Sequence, residues 1–183
     1  MANFNYNDAV GNTPIAIDQV FAEKQGGGLV RSLSVTIPEG TAVGLSNDNV
    51  FRVIKAYRLT AEAGSGDTTI KIAKGSGVAV GDVIATGKKG VACTAVDTSN
   101  AAYDVVTVSL GTALAAGTVL YQAAAASTNA AAPIYTPLFV TGAEVPANSG
   151  DVPTRLVNGA NLRKATANVA AEVVALMKSV ELV

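Results

Sequence analysis

Short segments of alternating apolar and polar residues, separated by glycine-rich turns, restrict most strongly what this chain can fold into. Between residues 29 and 122, such segments recur every 10 to 15 residues. Alternation with a period of two places successive side chains on opposite faces of a strand. Many short strands at regular spacing are typical of a small antiparallel barrel or sandwich. We therefore expect a mainly β protein with this architecture.

The alternation is clearest in two segments. In residues 29–37, Leu29, Leu33 and Ile37 share one face of an extended chain. In residues 50–60, both faces carry apolar side chains, which suggests a strand between two layers. Five further strands are predicted at residues 68–73, 80–85, 90–96, 103–110 and 118–122.

Asp follows Gly at three turns of the chain, at residues 66–67, 81–82 and 150–151. An Asp side chain accepts hydrogen bonds from nearby backbone amides and so stabilises turns. A calcium loop would need several closely spaced oxygen ligands, and these turns do not supply them. We therefore expect these aspartates to shape turns rather than to bind metal.

The residue types that are missing exclude several classes of chemistry. The chain has no histidine, so it cannot form a Ser-His-Asp or Cys-His catalytic pair or a Cys/His zinc site. Its one cysteine, Cys93, lies in an apolar segment, where we expect a buried structural thiol. The sequence also lacks a phosphate-binding glycine motif and a Ser-x-x-Lys helix start. We therefore expect no enzymatic activity, no cofactor and no metal site.

The charge composition bears on the partners of the protein. With 13 basic and 14 acidic residues, the chain lacks the basic surplus that nucleic-acid binding requires. No apolar run approaches the roughly 18 residues of a membrane-spanning helix, and the first eight residues do not form a signal peptide. Charged residues make up 15% of the chain, against about 25% in an average soluble domain. We expect neither nucleic acid nor a membrane as a partner, and a subunit that buries part of its surface against copies of itself.

Composition and pattern divide the chain into four parts. Residues 1–28 are rich in Asn and Gly and predict an N-terminal arm. Residues 29–122 form the β-barrel or sandwich body, and the Ala-rich residues 123–133 form a linker. Residues 134–183 are predicted to contain short strands followed by a C-terminal helix.

The C-terminal helix is predicted from apolar residues spaced alternately four and three positions apart. This spacing is that of the a and d positions of a coiled coil. A helix with such a stripe either mediates self-association or packs as a single amphipathic helix on its own barrel. The six positions that would form the oligomer interface are Leu162, Thr166, Val169, Val173, Leu176 and Val180.

Tyrosines supply a second candidate surface. The rings of Tyr103 and Tyr121 could stack on sugars, which would make them glycan contacts. Tyrosines in a β-barrel also serve as core or rim residues, so the sequence leaves both roles open.

The residues from Arg155 to Val183 resemble the end of bacteriophage head fibre proteins, which occur in phages and prophages of gut Bacteroidetes. The segments Thr69-Ile-Lys-Ile-Ala-Lys-Gly75 and Val80-Gly-Asp-Val-Ile84 are similar to parts of capsid decoration and fibre modules. The resemblance covers residues 50–183. It brings no catalytic residues to carry over.

This resemblance implies a non-enzymatic virion structural protein, a head fibre or capsid decoration protein on the outer capsid. The implied partners are further copies of the chain, most often in a trimer, and the major capsid protein. Host-surface or mucosal glycans are a further possible partner. The protein would be made in the bacterial cytoplasm and placed on the capsid exterior. The alternatives are a carbohydrate-binding or adhesion module, or a tail or baseplate component of a phage.

Overall fold

Strands account for nearly all regular structure in the computed structural model, which describes residues 15–183. Residues 1–14 of the predicted arm lie outside the described residues. The elements are β1 (Ile17–Glu23), β2 (Gly28–Arg31), β3 (Ala42–Leu45), β4 (Phe51–Val53), β5 (Ala56–Arg58), β6 (Thr69–Ala73), β7 (Val83–Ala85), β8 (Gly90–Ala92), β9 (Ala95–Asp97), β10 (Tyr103–Thr107), β11 (Val119–Ala123), β12 (Pro137–Thr141), β13 (Asp151–Thr154), β14 (Leu156–Leu162), α1 (Ala171–Val174) and β15 (Val180–Leu182).

Strands from both ends of the described chain build one eight-stranded sheet, which we call the large sheet. Its order is β1-β14-β12-β3-β4-β2-β13, and β15 pairs with β14. The pairs are antiparallel except β2 with β4 and β14 with β15. The curled sheets of the molecule form a half-barrel. The predicted mainly β fold is therefore confirmed, with a half-barrel in place of a closed barrel.

Residues 56–123 are inserted between β4 and β12 and form two smaller sheets, which we call the inserted module. One sheet has the order β5-β11-β7-β8 and the other β6-β10-β9. The module has an apolar core of its own, in which Ile72, Ile84 and Val106 are completely buried. The alternation of apolar residues in β6 places Ile70 and Ile72 in this core, and β10 adds Val106.

The largest apolar cluster joins the inserted module to the large sheet. Ala85 and Tyr121 of the module and Ile54, just before it, pack in one cluster with Val157 and Leu162 of β14. A hydrogen bond also crosses between the two parts, since the Arg58 guanidinium donates to the Ala167 carbonyl at 2.6 Å. The module and the large sheet therefore share buried apolar surface.

The large sheet crosses the predicted boundaries between the four parts of the chain. Ile17–Glu23 of the predicted arm forms β1 and pairs with β14. Beyond the predicted linker, β12 pairs with β3 near the start of the predicted body. Strand pairing between distant segments leaves no local signal in composition, which is why the sequence did not reveal this arrangement.

The predicted C-terminal helix is wrong for most of its length. Its only helical turn is Ala171–Val174, while Leu162 ends β14 and Val180 begins β15. Residues 163–170 form turns, in which the Thr166 amide donates to the Arg163 carbonyl at 3.0 Å. Of the apolar residues at this 4-3 spacing, Leu162, Val169, Val173 and Val180 are buried, but they lie in a strand, a turn, the helical turn and a second strand. Val180, which begins β15, is β-branched and favours extended structure.

Asn158 and Gly159 form a dipeptide that usually favours a turn. They lie in the middle of β14 instead. A Cβ atom at Gly159 would come within 3.2 Å of the Ala22 backbone N. The glycine therefore permits the close approach of β1 at an irregular point in their pairing.

Candidate functional site

A cleft of about 340 Å³ lies between the segment that follows β2 and the loop that follows β6. Leu33 and Val35 line it on the side of the large sheet. Ala79, Thr98 and Asp104 line it on the side of the inserted module. The cleft is therefore built by two parts of the chain that are far apart in sequence.

Asp82 is the centre of a polar network beside this cleft. Its carboxylate accepts hydrogen bonds from Lys55 Nζ at 2.9 Å, from the Tyr57 hydroxyl at 3.0 Å and from Gln122 Nε2 at 2.9 Å. It also accepts one from the Ala79 amide at 2.9 Å. The Asp82 side chain is 12% exposed. A largely buried carboxylate is costly unless it is paired and hydrogen-bonded, and this one is both.

The turn chemistry predicted for Asp82 is confirmed, but it is only part of the role of this residue. At the preceding Gly-Asp turn, Asp67 accepts from the Gly64 amide at 2.7 Å in the same way. Asp82 differs from Asp67 because it also pairs with Lys55, which lies between β4 and β5 and 27 residues away in the sequence. No local pattern in the sequence distinguishes the two turns, so the network could not have been identified from it.

A second lysine and aspartate pair lies on the other side of the cleft. Lys74 Nζ, just after β6, is 2.6 Å from Asp104 Oδ1 and 2.7 Å from the Thr98 carbonyl. Asp104 lies in β10 beside β6 and is 6% exposed. Strand pairing therefore positions this ion pair, and each of the two pairs contributes one residue, Lys55 or Asp104, to the lining of the cleft.

Burial around the network raises two pKa values. Desolvation, reinforced by the negative charge of Asp82, raises the pKa of the Tyr57 hydroxyl well above its usual range. Desolvation also raises the pKa of the Cys93 thiol; a backbone hydrogen bond at Ala95 opposes this rise, and the negative charge of Asp82 adds to it. Both groups are neutral at physiological pH, and Cys93, which is 2% exposed, is the buried thiol that the sequence predicted.

A small cavity of about 10 Å³ adjoins the cleft and shares Leu33, Val35 and Lys55 with it. Ser76 and Asn168 also line this cavity. The Ser76 Oγ atom is buried and has no hydrogen-bond partner in the described part of the chain. A cavity of this size holds about one water molecule.

The arrangement can bind polar groups, but it offers no activated nucleophile. An ammonium group has three N–H donors, and the described contacts of Lys55 use one of them. Asp104 Oδ2 has no partner among the described hydrogen bonds. Within residues 15–183, no cluster of three or more His, Cys, Asp or Glu side chains could hold a metal ion.

The structure separates the two tyrosines predicted as glycan contacts. Tyr121 is 2% exposed, and its hydroxyl donates to the Ala131 carbonyl. Tyr121 is thus a core residue with no ring face for a sugar. Tyr103 is half-buried in β10, and Lys71 Nζ lies 4.9 Å from its ring centroid. Neither tyrosine lines the cleft.

The six residues of the predicted interface do not form a common stripe. Four of them, Leu162, Val169, Val173 and Val180, are buried within the chain itself. The Thr166 hydroxyl donates to the Ile15 carbonyl at 2.6 Å, and Leu176 is 57% exposed. The four buried residues have no surface to offer a second copy. The predicted interface therefore no longer supports self-association, and self-association itself stays a prediction.

The two edges of the large sheet differ in a way that bears on assembly. One edge is β13, where Pro153 lacks the N–H that an added strand would need. The other edge is β1, in which Phe21 is 60% exposed. Three register shifts interrupt the pairing of β1 with β14. The β1 edge therefore offers an exposed aromatic side chain on an irregular backbone.

Comparison of the chain with protein-family models, with curated proteins and with solved structures finds no match. The resemblance to head fibre proteins therefore stays a prediction. In the part of the chain that the structure describes, no helix has the length and apolar character needed to cross a membrane.

Proposed function

We propose that this chain is a non-enzymatic virion structural protein, a head fibre or capsid decoration protein on the outer capsid. The proposal rests on the resemblance of residues 155–183 to the end of head fibre proteins. A tail or baseplate location is the competing placement within a virion, and no feature of the fold favours it.

One observation carries the structural side of the proposal, namely that no strand among residues 15–183 covers the outer edge of β1 in the half-barrel. A sheet edge left open to solvent is a liability that proteins usually cover or blunt. Pro153 blunts the β13 edge, whereas β1 presents Phe21 with 60% of its surface exposed. A second copy of the chain or the capsid surface would cover this edge. Because the pairing of β1 is irregular, we expect contact through side chains rather than a continuous added strand.

The proposal is tested by the mass of the protein in solution and by its binding to capsids. Light scattering at micromolar concentration should give a multiple of 18.3 kDa. The protein should also co-sediment with capsids assembled from the major capsid protein of the same phage or prophage genome. A strictly monomeric protein that does not bind these capsids would contradict the proposal, and binding to tails alone would support the competing placement.

Two matched variants locate the contact. Phe21→Glu places a charge on the β1 edge and should weaken both association and capsid binding. Val80→Glu, at a side chain that is 65% exposed in the inserted module, should leave both unchanged. Equal effects of the two variants would show that β1 is not the contact.

A further inference from the structure

We infer that the cleft beside Lys55 and Asp104 is a binding site for a small neutral polyhydroxylated ligand, of the size of a single saccharide unit. Its volume of about 340 Å³ lies at the lower end of the range of roughly 300–1,000 Å³ for small-molecule sites. This assignment is independent of the virion role, since it concerns a face other than the β1 edge.

The charges around the cleft select for a neutral ligand. Lys55 is paired with Asp82, and Lys74 is paired with Asp104. Each lysine is thus matched by a carboxylate within 3 Å, and the formal charge of the four groups is zero. In the lining of the cleft, a phosphate would meet the Asp104 carboxylate, and a cation would meet the Lys55 ammonium group. Neither sign of charge gains a net attraction here.

The remaining hydrogen-bonding capacity matches hydroxyl groups. A sugar hydroxyl donates one hydrogen bond and accepts others. The cleft offers the unused N–H donors of Lys55 and the unused Oδ2 acceptor of Asp104. Ser34 and Thr98, both exposed, add hydroxyl groups at the rim. The lining therefore supplies both donors and acceptors, as recognition of neighbouring hydroxyls requires.

An apolar wall completes the match to a sugar ring, which has apolar C–H groups as well as hydroxyls. Leu33, Val35 and Val78 line the cleft and are each only half-buried by the protein itself. A ligand of this class would cover their exposed surface while its hydroxyls reach the charged pairs. A purely ionic ligand would leave this wall unused.

The test is a nuclear magnetic resonance titration of the full-length protein with separate monosaccharides, namely glucose, galactose, mannose and N-acetylglucosamine, and with inorganic phosphate. At least one sugar should shift the amide resonances of Ser34, Gly77 and Ala79 saturably, and phosphate should not. No saturable shift with any of the sugars overturns the inference. Saturation by phosphate alone overturns it as well, because it would assign the cleft to an anion.

Two matched variants show whether the sugar binds in the cleft. Ala79→Trp should fill the cleft and weaken the sugar at least about tenfold, a change of about 1.4 kcal/mol. Val80→Trp adds the same ring at the neighbouring residue, which does not line the cleft, and should bind as the natural protein does. If the two variants bind the sugar equally, the binding is elsewhere. Ser34→Ala, a substitution at an exposed position, repeats the test without adding bulk.

Discussion

Asp67 and Asp82 show how one turn motif acquires two different roles. Each follows a glycine and accepts a hydrogen bond from the amide three residues before it. Only Asp82 also accepts from Lys55, from Tyr57 and from Gln122. The difference is set by what the fold brings to the carboxylate rather than by the turn.

Replacing each aspartate with alanine distinguishes the stability contributed by the turn hydrogen bond from that contributed by the Asp82 network. Asp82→Ala leaves the Lys55 ammonium, whose side chain is 16% exposed, without its partner. Removing one member of a buried pair costs about 3–5 kcal/mol. Asp67→Ala removes one hydrogen bond at an exposed turn and should cost about 1 kcal/mol. Urea unfolding monitored by circular dichroism measures both, and similar losses for the two variants would show that the Asp82 network adds little.

The buried Tyr57 and Cys93 should make the protein sensitive to alkali. Burial raises the pKa of both groups in the folded state, whereas in the unfolded chain they titrate near about 10 and about 8.5. The unfolded state therefore loses these protons first as the pH rises. Their stabilising contribution is complete below the unfolded pKa values and declines above them, by up to about 1.4 kcal/mol per pH unit for each group until the pH reaches the folded pKa of that group.

Unfolding free energies measured from about pH 7 to about pH 10.5 test this. The natural protein should lose stability with the stated slope, first from the thiol and then from the phenol. Cys93→Ala should remove the earlier part of the decline, and Tyr57→Phe the later part. A slope that neither substitution changes would mean that other groups control the alkaline limit.

At the scale of elements, the sequence placed several short strands correctly and failed where segments pair at long range. The extended segment predicted at residues 29–37 is a strand only in β2, Gly28–Arg31. The strand predicted at residues 68–73 is β6, Thr69–Ala73, and the one predicted at 118–122 is β11, Val119–Ala123. Alternation is a local property, so it can be read from neighbouring residues. The pairing of β15 with β14 depends on contacts that local pattern does not contain. The same limit hid the cleft, whose Lys55 and Asp104 approach each other only in the folded chain.

Two apolar positions of the C-terminal segment distinguish the observed fold from the helix expected on spacing alone. In a helical seam, Leu176 and Val180 would be equivalent neighbours one turn apart. In the structure, Leu176 is 57% exposed and Val180 is 3% exposed. Val180→Asp buries an unpaired charge beside β14 and should cost at least about 3 kcal/mol. Leu176→Asp should change stability by less than about 0.5 kcal/mol.

Thermal unfolding of the two variants reads out this difference directly. A larger midpoint shift for Leu176→Asp than for Val180→Asp would contradict the strand assignment of β15. Both substitutions introduce the same side chain, so a difference between the two midpoints reports the difference between the two positions.

At the scale of the whole molecule, the question is whether the inserted module and the large sheet unfold together. The module has its own core, which by itself would allow separate unfolding. The shared cluster argues against this, because Ile54, Ala85 and Tyr121 pack with Val157 and Leu162 of the large sheet. Unfolding either part alone would expose apolar surface on the other, and this cost couples them. We therefore expect one cooperative transition, with calorimetric and van't Hoff enthalpies that agree.

A substitution in the apolar core that belongs to the inserted module alone is the sharpest test of this coupling. Ile72 is completely buried and belongs to the module's cluster, not to the shared one. Ile72→Ala should cost about 2–5 kcal/mol. If the two parts unfold as one unit, hydrogen exchange at the slowest amides of β14 accelerates as much as exchange in β10, because both report the same global opening. Faster exchange in β10 with unchanged exchange in β14 would show that the shared cluster does not couple the two parts. The cleft between them would then join two units that open independently.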